Sequence, residues 1–212
     1  MGLCWSDVES LLDRVGEWVL SQNNVDSKID AINRVRLKLS NFSQLNQEPV
    51  DCVLWIKSDL VIGNDYNPNN VAPPEMLLLQ ESIMADGYTQ PIVAVKEEEL
   101  MKVVDGFHRS KIGKTVGSIN KKVFGHIPVA FIRPNRTGKC DRMASTVRHN
   151  RARGKHSVDL MASIVSDLSK QNWSDEKIGK ELGMEPDEVL RLKQITGLAE
   201  LFADQEFSEA WE

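Results

Sequence analysis

The 212-residue sequence has only three cysteines, 6% aromatic residues and no long apolar run. The cysteines, Cys4, Cys52 and Cys140, lack the spacing of a metal site and cannot all pair with one another, which indicates a reducing compartment. No apolar run approaches the roughly 20 residues that a membrane-spanning helix needs. Acidic residues such as Asp7 and Asp13 also interrupt any N-terminal secretion signal. We therefore expect a cytoplasmic protein without a membrane segment.

The sequence also lacks an excess of positive charge, because its formal net charge is -5. This balance excludes a protein coated with cations for nonspecific nucleic-acid binding. Bases are nevertheless concentrated in residues 133–155, where Asp141 is the single acid. We call this segment the basic stretch; its bases are Arg133, Arg136, Lys139, Arg142, Arg148, Arg151, Arg153 and Lys155. It indicates a local anionic ligand, and a solvated, charged helix face is the alternative.

Residues 1–48 are predicted to form a helical N-terminal extension. Apolar residues recur at helical spacing in two sets, first Val8, Leu11, Leu12, Val15, Trp18 and Val19, then Val25, Ile29, Ile32, Val35 and Leu39. Ser6 and Glu9 have the spacing of a capping box at the start of the first helix. We expect two helices that pack or bind a partner and carry no chemistry of their own.

Residues 49–137 are predicted to form a small α+β domain. Strands are expected over residues 50–56, 91–95, 101–104 and 127–132. One helix is expected to start at Pro73-Pro74 and end at Gly87, and another to span residues 109–116 and end at Gly117. Alternating short strands and helices indicate a mixed sheet with helices packed against it.

Residues 138–212 are predicted to form an all-helical subdomain that contains a helix-turn-helix-like segment. In this segment Ser174 would cap one helix, Gly183 would make the turn and Pro186 would start the second helix. The second helix begins with three carboxylates, which DNA phosphates would repel: Glu185, Asp187 and Glu188. We therefore expect weak DNA binding or protein binding from this segment, and any DNA contact would use the basic stretch.

The motif that carries the chemistry is Asp105-Gly106-Phe107-His108-Arg109, between a predicted strand and a predicted helix. Gly106 allows the backbone to approach an anion, and the free N–H groups of the first helical turn point toward it. His108 and Arg109 can add charge-assisted hydrogen bonds, with Lys111 on the next turn. These residues predict a site for nucleotide phosphates; a turn capped by Asp105, with solvated cations, is the alternative.

Several ordered motifs resemble the N-terminal domain of the ParB/sulfiredoxin superfamily. They are the segment from Leu77 to Ile83, then Gly87-Tyr88-Thr89-Gln90-Pro91-Ile92-Val93, the Asp105–Arg109 motif, and Arg148-His149-Asn150-Arg151-Ala152-Arg153. More narrowly, Asn64-Asp65-Tyr66-Asn67-Pro68-Asn69 and Ala72-Pro73-Pro74-Glu75-Met76 look like the immunoglobulin-binding regulator B (IbrB-like) group. The resemblance covers residues 60–198 and implies a ParB/sulfiredoxin-like fold.

The resemblance implies a nucleotide site with Mg²⁺ and ATP or another NTP. Asn150 would help to bind the phosphate–metal end, Arg153 would support it, and Gln90 and Pro91 would shape the pocket floor. The implied nucleotide-binding residues are Gln90, Pro91, Asp105, Gly106, Phe107, His108, Arg109, Lys111, Asn150 and Arg153. Members of the IbrB-like group are usually paired with a phosphoadenosine-phosphosulfate-reductase-like protein, which is therefore the implied partner.

Departures from the family pattern restrict the chemistry. Phe107 stands where sulfiredoxins need a cysteine, which excludes sulfinic-acid repair. His149 stands where CTP-hydrolysing partition proteins carry a glutamate, so their mechanism and their preference for CTP do not carry over. The candidate bases are His149, Asp105 and an upstream glutamate, Glu81 or Glu75. The sequence ends without the dimerisation domain of partition proteins, and we expect no partition clamp.

The sequence predicts a nucleotide-binding protein that acts as a Mg²⁺-dependent ATP or NTP hydrolase, or as a phosphotransferase. The alternative is a noncatalytic ParB-like regulator that binds DNA or protein and uses the nucleotide as a switch. A nuclease ranks third, because the sequence shows no carboxylate cluster of the kind that two-metal cleavage needs.

Overall fold

The computed structural model describes residues 4–63, 73–133, 138–151 and 158–202. The chain divides into two compact units, which are described separately. The sheet unit comprises Met1–Gly63 and Leu77–Pro134, and the helical unit comprises Asn64–Met76 and Asn135–Glu212.

The N-terminal extension forms two helices of 16 residues each, α1 (Trp5–Leu20) and α2 (Val25–Ser40). The predicted capping box is wrong by two residues: the Asp7 carboxylate accepts the Cys4 N–H at 2.9 Å, because the helix begins at Trp5 and Ser6 lies inside the first turn. At the start of α2 the Asn24 side chain accepts the Ser27 N–H at 2.8 Å, as an N-cap does.

The sheet unit is built on five strands in the order β1-β5-β3-β4-β2. Their bounds are β1 (Leu54–Lys57), β2 (Val61–Ile62), β3 (Ile92–Glu97), β4 (Leu100–Asp105) and β5 (His126–Phe131). β1 pairs antiparallel with β5 and β3 with β4, whereas β3–β5 and β2–β4 are parallel. The predicted α+β class with a mixed sheet is confirmed. The first strand is shorter than predicted, because Pro49–Asp51 form a 3₁₀ turn.

Three helices accompany the sheet: α3 (Pro73–Asp86), α4 (Phe107–Thr115) and α5 (Gly117–Lys122). The core under them is apolar, with Ile92, Ala94, Val103, Ile127 and Val129 fully buried. Gly117 was predicted to end a helix. Instead α4 ends at Thr115, Val116 is extended, and Gly117 begins α5.

Helix α2 covers the edge strand β1. The Asn33 amide donates to the Trp55 carbonyl at 2.7 Å, and its oxygen accepts the Trp55 N–H at 3.0 Å. Asn33 thereby satisfies backbone groups that a neighbouring strand would otherwise pair, which protects the edge from another chain. The ion pair between Lys57 and Asp26, at 2.6 Å, lies at the same edge.

The helical unit contains α6 (Lys139–Arg151), α7 (Val158–Lys170), α8 (Asp175–Leu182) and α9 (Pro186–Phe202). Its core combines residues of all four helices, among them Val147, Leu168, Ile178 and Val189. Gly183 has a φ of 67° between α8 and α9, and Ser174 accepts the Lys177 N–H at 3.2 Å. The predicted helix-turn-helix segment is confirmed.

None of the helices in the described ranges is both long enough and apolar enough to cross a membrane.

Candidate functional site

The turn between β4 and α4, residues 105–109, requires glycine at its second position. Gly106 has a φ of 86° and a ψ of 24°, in the left-handed region that side chains disfavour. A Cβ at this position would lie 3.0 Å from Arg109 Nη2 and 3.3 Å from Ile92 Cα. Both the backbone conformation and the close packing therefore disfavour a larger residue.

The N-terminus of α4 has the properties of an anion site. The Ser110 N–H closes the first helical hydrogen bond, to the Gly106 carbonyl at 2.9 Å. The N–H groups before it have no acceptor within the helix, and they carry the positive end of the helix dipole. No acid stands in the first turn, and Lys111 and Lys114 are exposed on the following turns. A phosphate at this terminus would meet only favourable charges from α4.

The Arg109 side chain is held against the ends of two strands. Its Nη1 donates to Gln90 Oε1 at 2.5 Å, and its Nη2 lies 3.4 Å from both the Pro91 carbonyl and Asp105 Oδ2. Only 15% of the Arg109 side chain and 6% of the Asp105 side chain are exposed. The structure thus brings together four residues of the predicted site, on β4, on α4 and before β3.

This network gives Asp105 a different role from the alternative raised by the sequence. Gly106 is the N-cap of α4, and no side chain caps that helix. The Asp105 carboxylate instead compensates the guanidinium of Arg109. An arginine positioned in this way keeps its geometry before a ligand arrives, so little side-chain entropy is lost on binding.

Tyr88 and Gly113, to which the sequence analysis assigned no role, support the position of Arg109. The Tyr88 hydroxyl donates to the Arg109 carbonyl at 3.2 Å, and burial raises the pKa of Tyr88 to about 12, against the opposing effect of Arg109. A Cβ at Gly113 would lie 2.0 Å from Tyr88 Oη, so only glycine admits the ring. A glycine inside a predicted helix was the available signal for such a close approach.

Phe107 and His108, two predicted nucleotide-binding residues, lie in the first turn of α4. Phe107 packs against the sheet core, and a Cβ at Gly63 would lie 2.6 Å from its ring. His108 is half-buried, and burial followed by the charge of Lys111 lowers its pKa below the ordinary 6.5. At pH 7 His108 is therefore neutral and can accept a proton or one hydrogen bond.

The remaining predicted residues are described only in part. Glu81 and Glu75 are exposed on α3. His149 and Asn150 belong to α6, but their side chains lie outside the described residues, and so does Arg153. Within the described ranges no group of three or more His, Cys, Asp or Glu side chains could hold a metal ion. The assignment of Mg²⁺ to Asn150 stays a prediction.

Several cations near the helix-turn-helix segment have partners inside the protein. Lys193 pairs with Asp175 at 2.6 Å, the Lys177 ammonium lies 3.9 Å from the centre of the Trp173 ring, and Arg148 pairs with Glu181. In the sheet unit Arg133, the first residue of the basic stretch, pairs with Glu48. Arg191 is exposed on α9, where Leu190 and Ile195 are also exposed.

Comparisons with known proteins identify a family match in the C-terminal part of the chain and a relative that covers most of it. Residues 156–204 match the family described as the IbrB-like C-terminal HTH domain. Over 187 residues the chain is 54% identical to "Uncharacterized protein YbdM" of Escherichia coli (strain K12), with 88% of each chain covered. The predicted IbrB-like relation is confirmed.

Solved ParB structures align over most of the chain at low identity. The Pnob8-like ParB-N domain, in its C2221 form, aligns with a TM-score of 0.48 and 12% identity, covering 72% of this chain and 73% of that chain. The C-terminally truncated chromosome-partitioning protein ParB from Caulobacter crescentus, complexed to the centromeric parS site, gives 0.45 and 13%, covering 72% and 79%. The same protein complexed with CTP-gamma-S gives 0.39 and 14%, covering 71% and 83%.

Proposed function

The chain belongs to the IbrB-like family, and on this basis we propose that it is a ParB-like regulator that binds a nucleotide and contacts DNA. The phosphates of the nucleotide bind at the β4–α4 turn of the sheet unit. The helix-turn-helix segment of the helical unit contacts DNA. The nucleotide acts as the regulatory signal.

The observation that carries the nucleotide site is the construction of the β4–α4 turn. Left-handed Gly106 exposes the N-terminus of α4, and Arg109 is already positioned beside it by Gln90, Pro91 and Asp105. A guanidinium has five N–H donors in a planar fork, which suits the oxygens of a phosphate. Exposed Lys111 adds a further cation on the next turn.

The two candidate bases whose side chains the structure describes favour a binding role over a catalytic one. Asp105 is buried and compensates Arg109, and Glu81 is exposed on α3. A general base needs its carboxylate within hydrogen-bond reach of the reacting group and available to take a proton. The Asp105 carboxylate is paired with the Arg109 guanidinium, so Asp105 suits the positioning of Arg109 better than general-base chemistry.

Calorimetry with ATP, CTP, GTP and ADP, each in the presence of Mg²⁺, tests the nucleotide site. The wild-type protein is expected to bind at least one of them, and Arg109→Ala to raise its Kd about 10- to 100-fold, the loss of a hydrogen bond to a charged group. Because Arg109→Ala also leaves Asp105 buried without its partner, Lys111→Ala is the second variant. It removes an exposed cation and is expected to weaken binding by a smaller factor. The control is Lys121→Ala on α5, which removes an exposed cation away from the turn. Circular dichroism shows whether each variant is folded. Unchanged binding in both test variants would refute the site.

A second candidate function is Mg²⁺-dependent hydrolysis of ATP or another NTP, or phosphoryl transfer. The observation that favours it is His108, whose lowered pKa leaves a neutral imidazole beside the turn at pH 7. Phosphate release would then fall in His108→Gln while nucleotide binding persists. Release at background in the wild-type protein, with binding intact, would reject this candidate and leave the regulator.

Fluorescence anisotropy with double-stranded DNA tests the second part of the proposal. Binding is expected to be weak and to depend only modestly on salt, because few cations of the described helix-turn-helix segment lack an internal partner and α9 begins with acids. Arg191→Ala on exposed α9 is expected to weaken it further. The phosphoadenosine-phosphosulfate-reductase-like partner stays a prediction that co-purification with such a protein would test.

A further inference from the structure

The first helix leaves most of its apolar residues exposed. Only Val19 of α1 is buried, whereas Leu12 is 49% exposed and Trp5 is more exposed still. Trp5 and Leu12 are seven residues apart and so lie on one side of the helix, the arrangement that lets two helices pack along their length. Val19, seven residues after Leu12, continues this side and is buried at the C-terminal end of α1. We call Trp5 and Leu12 the α1 row. Contiguous exposed apolar side chains on a folded protein are typical of interaction surfaces.

The second helix repeats this arrangement. Val25, Ile32 and Leu39 are each exposed and follow one another at intervals of seven residues. We call them the α2 row. Asn33 and Asp26 of the same helix face β1 and its neighbour β5, through the Trp55 backbone and through Lys57 and His126. These contacts use a neighbouring face of α2, and the α2 row stays exposed, with Leu39 at the edge of a cavity that Trp55 and Pro128 also line.

The charges beside the two rows are opposite. Helix α1 carries four acids (Asp7, Glu9, Asp13 and Glu17) against Arg14 alone, whereas α2 carries four bases (Lys28, Arg34, Arg36 and Lys38) against Asp26 and Asp30. Glu9 stands three residues before Leu12, next to it on the helix surface. Lys28 and Arg36 stand three or four residues from members of the α2 row. Within the described part of the chain no ion pair joins α1 to α2.

From these observations we propose that the N-terminal helix pair is a dimerisation surface for a second copy of this chain. The α1 row of one copy packs on the α2 row of the other, with acids of α1 facing bases of α2. A two-fold axis forms this contact twice and covers both rows in both copies, since such an interface is self-complementary.

Sedimentation of the full-length chain over a concentration series tests the contact. The wild-type protein is expected to dimerise, and Leu12→Glu and Ile32→Glu each to raise the dimer Kd about 100-fold or more, because each buries a charge in an apolar contact. The matched control is Leu78→Glu on α3, an exposed leucine outside both rows, which leaves the Kd unchanged. Circular dichroism establishes that each variant is folded.

Exchange of charges tests which helices meet. One variant carries Glu9→Lys with Asp13→Lys, and the other carries Lys28→Glu with Arg36→Glu. Each alone places like charges across the contact and is expected to raise the Kd about tenfold. When the two are mixed, each α1 meets an α2 of opposite charge, and a heterodimer with a Kd near that of the wild type is expected. Charges that act only within one chain would give no recovery on mixing.

A wild-type protein that is monomeric at every concentration would overturn the proposal. A dimer that survives both row variants, or one that is lost in Leu78→Glu, would place the contact elsewhere and overturn it as well. These outcomes are independent of the nucleotide site, because none of the variants touches the β4–α4 turn.

Discussion

The N-terminal helix pair and the C-terminal helices both have amphipathic sequences, but they differ in how far their apolar side chains are buried. In α7 the residues Met161, Ala162, Ile164, Val165 and Leu168 are all buried in one core with α6, α8 and α9. In α1 only Val19 is buried. Periodicity therefore identifies the apolar face of a helix in both regions, but it does not identify what covers that face. In the C-terminal helices the cover is within the chain, and for the N-terminal pair we infer a second copy.

The largest difference between the two regions is expected from truncation of matched leucines. Leu168→Ala removes a fully buried side chain and is expected to lower the free energy of unfolding by about 2–5 kcal/mol. Leu12→Ala, on the exposed face of α1, is expected to change it by less than about 0.5 kcal/mol in dilute monomer. Urea denaturation followed by circular dichroism measures both. Equal losses would show that α1 is covered within the monomer.

The helical glycines provide a sharper contrast, with opposite signs. A Cβ at Gly179 of α8 would lie 2.8 Å from the Met184 carbonyl oxygen, so Gly179→Ala is expected to destabilise the protein by about 1–3 kcal/mol. A Cβ at Gly16 of α1 has no heavy atom within 4 Å, so Gly16→Ala is expected to stabilise the helix by about 0.5–1 kcal/mol. The thermal unfolding midpoints of the two variants, compared with that of the wild type, show whether each substitution stabilises or destabilises the protein. A stabilising Gly179→Ala would contradict the close turn between α8 and α9.

The smallest expected effect lies outside both regions, at His108. Burial lowers the pKa of His108 in the folded protein below its unfolded value of 6.5, so protonation favours the unfolded chain. The stability contributed by the neutral ring is therefore complete above pH 6.5 and is lost as the pH falls toward the folded pKa. Denaturation of wild type and His108→Gln at pH 7 and pH 5 measures it, and the variant is expected to lose less stability. A His108 resonance that titrates above 6.5 without ligand would refute the direction of the shift.

The β4–α4 turn shows how far local patterns carry a prediction. The turn at Gly106, the strand before it and the helix after it were predicted from adjacent residues, and the structure contains all three. The grouping of Gln90 and Pro91 with Arg109 came from the order of family motifs. The support of Arg109 by Tyr88 was not predicted, because it depends on residues 21 positions apart and on the space left by Gly113.

Where local signals compete, the sequence alone misplaced boundaries. Ser6 and Cys4 both precede possible helix starts, and the Asp7 carboxylate selected the earlier one. Glycine commonly ends a helix, yet Gly117 begins α5, a helix whose Ile119 is buried. Burial of an apolar residue stabilises a helix more than a single glycine weakens it.

The sequence by itself determined the amphipathic helices, the alternation of strands and helices, the glycine turn before α4 and the family. These depend on neighbouring residues, through helical periodicity and backbone sterics. Only the tertiary structure decided the strand order, the ion pair of Asp105 with Arg109, the packing of Tyr88 against Gly113 and the exposure of the α1 and α2 rows. These depend on which surfaces meet in space, and packing and desolvation act between residues that are distant along the chain.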